Sequence, residues 1–196
     1  IGMIFAPSPR RVTVREARGL ARAVPPFVTR VGVFANQGAA EIRRAAREIP
    51  LDAIQLHGDE TPDFASRLGA PVIKALRLPV DAGRTGVREI VRDFVRRWKH
   101  VGLRGVLIDA RPRGRESAGG TGRAVPWDAL AKTNWSGLSA VLAGGLTPAN
   151  VRRAVRASGI RAVDVSSGVE DGPGRKNPDL VRRFIRAARG ADRKTK

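Results

Sequence analysis

The chain has no cysteine, and this absence excludes several kinds of site from its 196 residues. Without a thiol there is no disulfide, no thiolate ligand for a metal ion and no thiol nucleophile. Histidine is also scarce, because His57 and His100 are the only two. No spacing of His, Asp and Glu is typical of a metal site. We therefore predict that these residues hold no metal ion.

Long apolar runs and a secretory leader are absent too. No apolar run approaches the ~20 residues that a membrane-spanning helix needs. The first residues do not show the basic segment, apolar core and small-residue cleavage site that are typical of a secretory leader. The composition, 42% hydrophobic and 28% charged, is that of a globular protein. We predict a cytoplasmic protein without a membrane partner, with a single domain over residues 1–190 and a frayed basic tail over 191–196.

Acidic residues are few, with 18 against 37 basic ones, so the net charge is +19. Six of the basic residues are lysines and 31 are arginines. One interpretation is nucleic-acid binding through counterion release; the other is charge spread over the outer faces of helices. The arginines recur in every helix-like segment and lack the interleaved aromatics of a stacking platform. We therefore predict no nucleic-acid partner, although the charge favours anionic, phosphorylated ligands.

Short apolar runs alternate with segments of helical spacing along the whole chain. The predicted strands are Ile1–Phe5, Phe27–Phe34, Ala53–Leu56, Pro71–Ala75, Gly105–Ile108, Ser139–Leu142 and Ala162–Val165. Asn177-Pro178 and Thr147-Pro148 each predict a helix start, with a capping side chain before a proline. This alternation predicts an α/β fold with a parallel sheet and crossover helices.

The position of the glycine-rich turns decides between two α/β folds. An open doubly-wound sheet usually has its phosphate turn after the first strand, but residues 6–11 contain no G-x-G-x-x-G. The glycine-rich turns follow the last two strands instead, at Gly144-Gly145 and at Ser166-Ser167-Gly168. Because (β/α)₈ barrels bind phosphate at the loops after strands seven and eight, we predict a (β/α)₈ barrel. Arg111–Val125 is either a lid over its mouth or an ordinary loop.

Three polar side chains near strand ends are candidates for chemistry. Asp109 is either a general acid whose pKa is raised by partial burial, or a helix cap or partner of Arg111. His57 is either an acid or base near neutral pH, or a histidine hydrogen-bonded in a polar mouth. Arg11, next to Arg10, either holds a carboxylate through a bidentate fork or is surface charge.

Six motifs, in this order, resemble phosphoribosylanthranilate isomerase, a (β/α)₈ barrel of tryptophan biosynthesis. They are Phe5-Ala6-Pro7-Ser8-Pro9-Arg10-Arg11, Gln55-Leu56-His57-Gly58, Leu107-Ile108-Asp109, Gly119-Gly120-Thr121-Gly122, Ala143-Gly144-Gly145-Leu146 and Asp164-Val165-Ser166-Ser167-Gly168-Val169-Glu170. The resemblance implies an Amadori rearrangement of N-(5-phosphoribosyl)anthranilate, without a cofactor, by a monomer or homodimer.

The resemblance also implies a role for each matched residue. Asp109 is the general acid that protonates the ribose ring oxygen, and Arg11 holds the anthranilate carboxylate. Substrate binding further involves His57 and Asp164. The phosphate cradle is formed by Gly144, Gly145, Ser166, Ser167 and Gly168.

One departure from the family pattern concerns the general base. Family members begin with a strand ending in Lys-x-Cys-Gly, whose cysteine removes the C2 proton of the opened sugar, whereas Ile1 enters at the expected second strand. The expectation is therefore a barrel of which strands two to eight are present, with little or no turnover. The alternatives are a related phosphate-binding barrel of tryptophan or histidine biosynthesis and a catalytically dead, ligand-binding barrel.

Overall fold

The computed structural model describes residues 1–80, 82–111 and 126–191. These residues form two compact units, residues 1–75 with 97–105 and residues 76–96 with 106–196. From residue 112 onward the candidate lid lies outside the described residues, and so do residues 192–196 of the predicted tail.

The first unit alternates strands and helices. Its elements are β1 (Gly2–Ile4), α1 (Val14–Ala23), β2 (Val31–Phe34), α2 (Ala39–Glu48), β3 (Ala53–Leu56), α3 (Pro62–Ser66) and the beginning of β4 (Val72–Pro79). The strands are parallel and pair in chain order, with Met3 opposite Gly32 and Ile54 opposite Val72. Helix α1 begins at a capping box, because the Thr13 hydroxyl accepts from Glu16 N and the Glu16 carboxylate accepts from Thr13 N.

The second unit continues the same alternation and then adds a hairpin. Its elements are the end of β4, most of α4 (Arg84–Trp98) and β5 (Gly105–Arg111), then β6 (Ala140–Leu142), α5 (Val151–Ser158), β7 (Ala162–Val163), the hairpin β8 (Glu170–Gly172) and β9 (Arg175–Lys176), and α6 (Pro178–Arg189). Strands β5, β6 and β7 are parallel and adjacent, whereas β8 and β9 are antiparallel. Single 3₁₀ turns lie at Trp127–Leu130 and Ser167–Val169.

The sequence prediction of parallel strands with crossover helices is confirmed, but several predicted boundaries are wrong. The strand predicted over Phe27–Phe34 begins at Val31, because Phe27 is fully exposed and has a left-handed φ of 66°. The strand predicted over Pro71–Ala75 continues to Pro79. The Asn177 cap is confirmed, since its side chain accepts from Asp179 N and Leu180 N.

The helix start predicted at Thr147-Pro148 is also wrong. Helix α5 begins at Val151, and the residue before it, Asn150, occupies the N-cap. The Asn150 side chain turns back and accepts from Thr147 N at 2.8 Å, so residues 147–150 form a turn that precedes the helix. The hairpin β8–β9 was not predicted, because its strands are too short to give a periodic pattern.

A buried lysine holds the carboxyl ends of the strands in the first unit. Lys74 on β4 is 5% exposed, and its Nζ donates to the carbonyl oxygens of Leu56 (3.3 Å) and Gly58 (2.6 Å) and to the Glu60 carboxylate (3.0 Å). The Glu60 carboxylate in turn accepts from Asn36 N at 2.7 Å. One buried ion pair therefore connects β4 with the turns that follow β2 and β3.

Replacing Lys74 should destabilise the protein strongly. Lys74→Met leaves the buried Glu60 carboxylate without its cation, and breaking one side of a buried pair costs about 3–5 kcal/mol. We expect a loss of this size in the free energy of unfolding, measured by urea denaturation. The matched control is Arg44→Met, which breaks the exposed Arg44–Glu48 pair and should cost less than about 1 kcal/mol. Equal losses in the two variants would contradict the role given to Lys74.

Candidate active site

The ends of three parallel strands in the second unit lie at one level. Ile108 pairs with Leu142; beyond this pair, Ala143 N donates to Ile108 O at 2.8 Å and Asp164 N donates to Leu142 O at 2.8 Å. Asp109, Ala143 and Asp164 therefore lie along the same edge of the sheet. The two aspartates lie two strands apart, which corresponds to about 9–10 Å between their backbones.

Asp109 lies within its strand and not at the strand end, which corrects the sequence prediction. Strand β5 continues to Arg111, two residues beyond Asp109. The side chain of Asp109 is half-buried, whereas that of the preceding Ile108 is fully buried. The carboxylate is therefore held on rigid backbone, which is what a group that must meet a substrate atom requires.

The turn after β6, the Gly144–Gly145 turn, adopts a conformation that favours glycine. Gly144 and Gly145 have φ values of 76° and 65°, in the left-handed region where other residues are strained. The Asn150 side chain fixes the turn, because its Nδ2 donates to Gly145 O at 2.9 Å while its Oδ1 accepts from Thr147 N. Within the described residues, the N–H groups of Gly144 and Gly145 donate no hydrogen bond.

A second turn, the Ser166–Gly168 turn, packs directly on the first. A Cβ atom on Gly168 would overlap the carbonyl oxygen of Leu146, so only glycine permits this approach. In the described part of the chain, the N–H groups of Ser167 and Gly168 also donate to no acceptor. Two adjoining turns thus present four unused N–H donors beside the N-terminus of α5. Such an arrangement binds anions, because N–H dipoles and the helix dipole both favour negative charge.

The other two predicted site residues lie in the first unit. His57 directly follows β3; its N–H donates to Phe34 O at 2.7 Å, and the Gln55 amide nitrogen lies 3.0 Å from its Nδ1. If the amide donates, the ring is neutral with its proton on Nε2. Arg11 pairs through its backbone with Ile4. Its exposed guanidinium has no hydrogen-bond or ion-pair partner among the described residues, so it is available for an anionic ligand.

The structure thus brings seven of the nine predicted site residues together in the second unit. They are Asp109, Gly144, Gly145, Asp164, Ser166, Ser167 and Gly168. Sequence reasoning missed Asn150 and Lys176. The Thr-Pro-Ala-Asn sequence carried a signal for Asn150, because Asn is a strong capping residue. Nothing in the sequence singled out Lys176, since its position depends on the unpredicted hairpin.

Comparison with known proteins identifies the family. The model of the N-(5'-phosphoribosyl)anthranilate (PRA) isomerase family matches residues 1–187. The chain belongs to this family. The N-(5'-phosphoribosyl)anthranilate isomerase of Myxococcus xanthus (strain DK1622) is 44% identical over 191 residues, which cover 96% of this chain and 85% of that protein.

Solved structures of PRA isomerases agree with this assignment. The enzyme from Thermotoga maritima superposes with a TM-score of 0.81 and 33% identity, over 96% of this chain and 87% of that one. A second solved relative, in complex with reduced 1-(o-carboxyphenylamino)-1-deoxyribulose 5-phosphate, gives a TM-score of 0.77 and 31% identity over 96% of this chain and 86% of its own. The predicted (β/α)₈-barrel fold class and the assignment as a PRA isomerase of tryptophan biosynthesis are confirmed by these matches.

Two further searches of the structure gave no additional site. Among residues 1–80, 82–111 and 126–191, no three His, Asp or Glu side chains are grouped so that they could hold a metal ion. In the same residues, no helix has the length and apolar character needed to cross a membrane.

Forcing the two turns apart should weaken anion binding. Gly168→Ala pushes a methyl group into Leu146 O and separates the turns, so we expect inorganic phosphate to bind more than about tenfold more weakly, a cost above about 1.4 kcal/mol. The measurement is an NMR titration of the backbone amides. The control is Gly172→Ala, because nothing lies within 4 Å of a Cβ at that position. The assignment of the anion site would be wrong if the two variants bound phosphate equally well.

Proposed function

We propose that the second unit binds the phosphate of N-(5-phosphoribosyl)anthranilate and protonates its ribose ring on the way to 1-(2-carboxyphenylamino)-1-deoxyribulose 5-phosphate. The observation that carries this proposal is the adjoining pair of turns with four unused N–H donors, on the same sheet edge as Asp109. Family membership supports the reaction, and the geometry of the second unit supports the roles that we propose below.

Phosphate binding rests on backbone groups. The N–H groups of Gly144, Gly145, Ser167 and Gly168 are fixed by the folded turns before the ligand arrives, so little ordering entropy is lost on binding. Their dipoles and that of α5 compensate the phosphate charge without a metal ion. Asp164 and His57 provide polar contacts to the rest of the substrate.

Asp109 acts as the general acid in the first chemical step. Its proton passes to the ribose ring oxygen while the C1–O bond breaks, and the nitrogen lone pair forms the C1=N bond of a Schiff base. A proton must then leave C2 to give an enolamine, which tautomerises to the ketone. Asp109 suits the first step because its strand holds the carboxyl group in place while the phosphate anchors the other end of the sugar.

Arg11 binds the carboxylate of the anthranilate group. Its exposed guanidinium offers two parallel N–H donors, which match the two oxygens of a carboxylate. It has no acidic partner among the described residues, so no ion pair within them has to break when the ligand binds.

Removal of the C2 proton needs a general base. The 196 residues contain no cysteine that could serve as this base. The family resemblance gives this step to a cysteine, and general bases contribute about 10²–10⁴ in rate. We therefore infer that residues 1–196 bind the ligand but turn it over slowly.

Binding and turnover should separate in this chain. We expect the 196-residue polypeptide to bind reduced 1-(o-carboxyphenylamino)-1-deoxyribulose 5-phosphate and to consume substrate about 10²–10⁴ times more slowly than the Thermotoga maritima relative. Binding is measured by calorimetry and turnover by the fluorescence of the anthranilate group. Turnover at the relative's rate would refute the need for the cysteine, and absence of analogue binding would refute the site.

The role of Arg11 can be tested with the same ligand. Arg11→Met should weaken analogue binding about tenfold or more, because a charge-assisted bidentate pair is lost. Binding of inorganic phosphate should not change, since phosphate carries no anthranilate carboxylate. Arg15→Met removes the same charge from an exposed position four residues away and serves as the control. Equal weakening by Arg15→Met would show that Arg11 contributes only its charge and does not bind the carboxylate directly.

A further inference from the structure

The hairpin β8–β9 places a lysine against the Ser166–Gly168 turn. The antiparallel pairing sets Lys176 opposite Glu170, and Lys176 Nζ lies 2.7 Å from Glu170 Oε1. The Glu170 side chain is only 3% exposed, while that of Lys176 is 46% exposed. A nearly buried carboxylate therefore fixes the end of a flexible, half-exposed side chain.

The same ammonium group holds the backbone of Ser166. Its Nζ donates to Ser166 O at 2.9 Å and lies 3.3 Å from Ser166 Oγ. With Glu170, these two oxygens account for the three N–H donors of a lysine. Ser166 has φ −120° and ψ −85°, outside the main helical and extended regions. The same oxygen also accepts from Val169 N at 3.4 Å, at the start of the 3₁₀ turn. The shorter contact from Lys176 adds a second support to this backbone conformation.

Anchoring this carbonyl oxygen determines where the next N–H group points. Ser166 C=O and Ser167 N–H belong to one planar trans peptide, in which the two bonds point in opposite directions. With the oxygen held by Lys176, the Ser167 N–H lies in the same plane and points away from the ammonium group. That N–H donates to no acceptor in the described residues.

We propose that Lys176 is a positioning residue of the phosphate site, which aims the Ser167 N–H at the anion by holding the Ser166 carbonyl. This inference rests on the phosphate site proposed above and extends it to the hairpin. Lys176 does not bind the phosphate itself, because its three donors are already engaged. Its contribution is the orientation of one peptide group.

The first test compares two changes on β9, one that neutralises Lys176 and one that neutralises Arg175. Lys176→Met should weaken binding of inorganic phosphate about tenfold, the value of one hydrogen bond to a charged group. Arg175→Met removes the same unit charge from the neighbouring residue, which has no partner among the described residues. It should change the affinity less than about threefold at 0.15 M salt, where exposed charges are screened. Equal weakening by both changes would overturn the proposal in favour of net charge.

A double variant separates orientation from charge compensation. In Lys176→Met alone, the Glu170 carboxylate has lost this cation and also repels the anion. Lys176→Met with Glu170→Gln removes that repulsion and also relieves the buried charge if the single variant folds poorly. We expect the double variant to regain only the part of the affinity that this repulsion costs, and to bind phosphate clearly more weakly than the unaltered chain. Recovery of the original affinity would overturn the proposal, because only charge would then have been lost.

The amide spectrum of the protein provides a direct signature. In the unaltered chain, phosphate should shift the Ser167 N–H resonance, and Lys176→Met should reduce that shift more than those of Gly144 and Gly145. If the unaltered chain binds phosphate and Lys176→Met leaves both affinity and shifts unchanged, only the role of Lys176 is wrong. If the unaltered chain shows no shift in either turn, the phosphate site is wrong and the role of Lys176 falls with it.

Discussion

The carbonyl oxygen of Leu146 leaves no space for a side chain at residue 168, and the arrangement of the second unit depends on this contact. It brings the turns after β6 and β7 together, close in sequence to the N-terminus of α5. The adjoining strands then place Asp109 on the same edge of the sheet. The glycine contact joins the two turns, and strand pairing places Asp109 on the edge that they share.

The two units differ in how the polar groups at the ends of their strands are hydrogen-bonded. At the carboxyl ends of the first unit, the buried Lys74–Glu60 pair consumes polar backbone and side-chain groups, because a buried carboxylate and ammonium need several partners. In the second unit, N–H groups of the glycine turns donate to no acceptor within the described residues. Satisfied donors make a rigid scaffold, whereas unsatisfied donors that are already oriented make a binding site.

Sequence reasoning found the elements whose signals are local. The alternation of apolar runs predicted the parallel α/β class. Glycine in βα turns is visible in the sequence, so a phosphate site could be proposed at Gly144, Gly145 and Gly168, and the structure places their two turns side by side. The extension of β5 beyond Asp109 was missed, because Ala110 and Arg111 follow an acidic residue that resembles a strand end. Lys176 was missed for a different reason, since its contact with Ser166 spans ten residues and exists only once the hairpin has formed.

The net charge of +19 attracts an anionic ligand over longer distances than the proposed phosphate site does. The proposed phosphate site consists of backbone N–H groups, and Lys176, which contacts it, is already occupied by Glu170 and Ser166. Affinity therefore depends on groups fixed within a few ångströms of the ligand, which salt screens weakly. The many exposed arginines act over longer distances, where they raise the rate at which a phosphorylated ligand arrives and lose this effect as salt increases. Added salt should consequently slow association more than it accelerates dissociation, because only the encounter depends on the distributed charge.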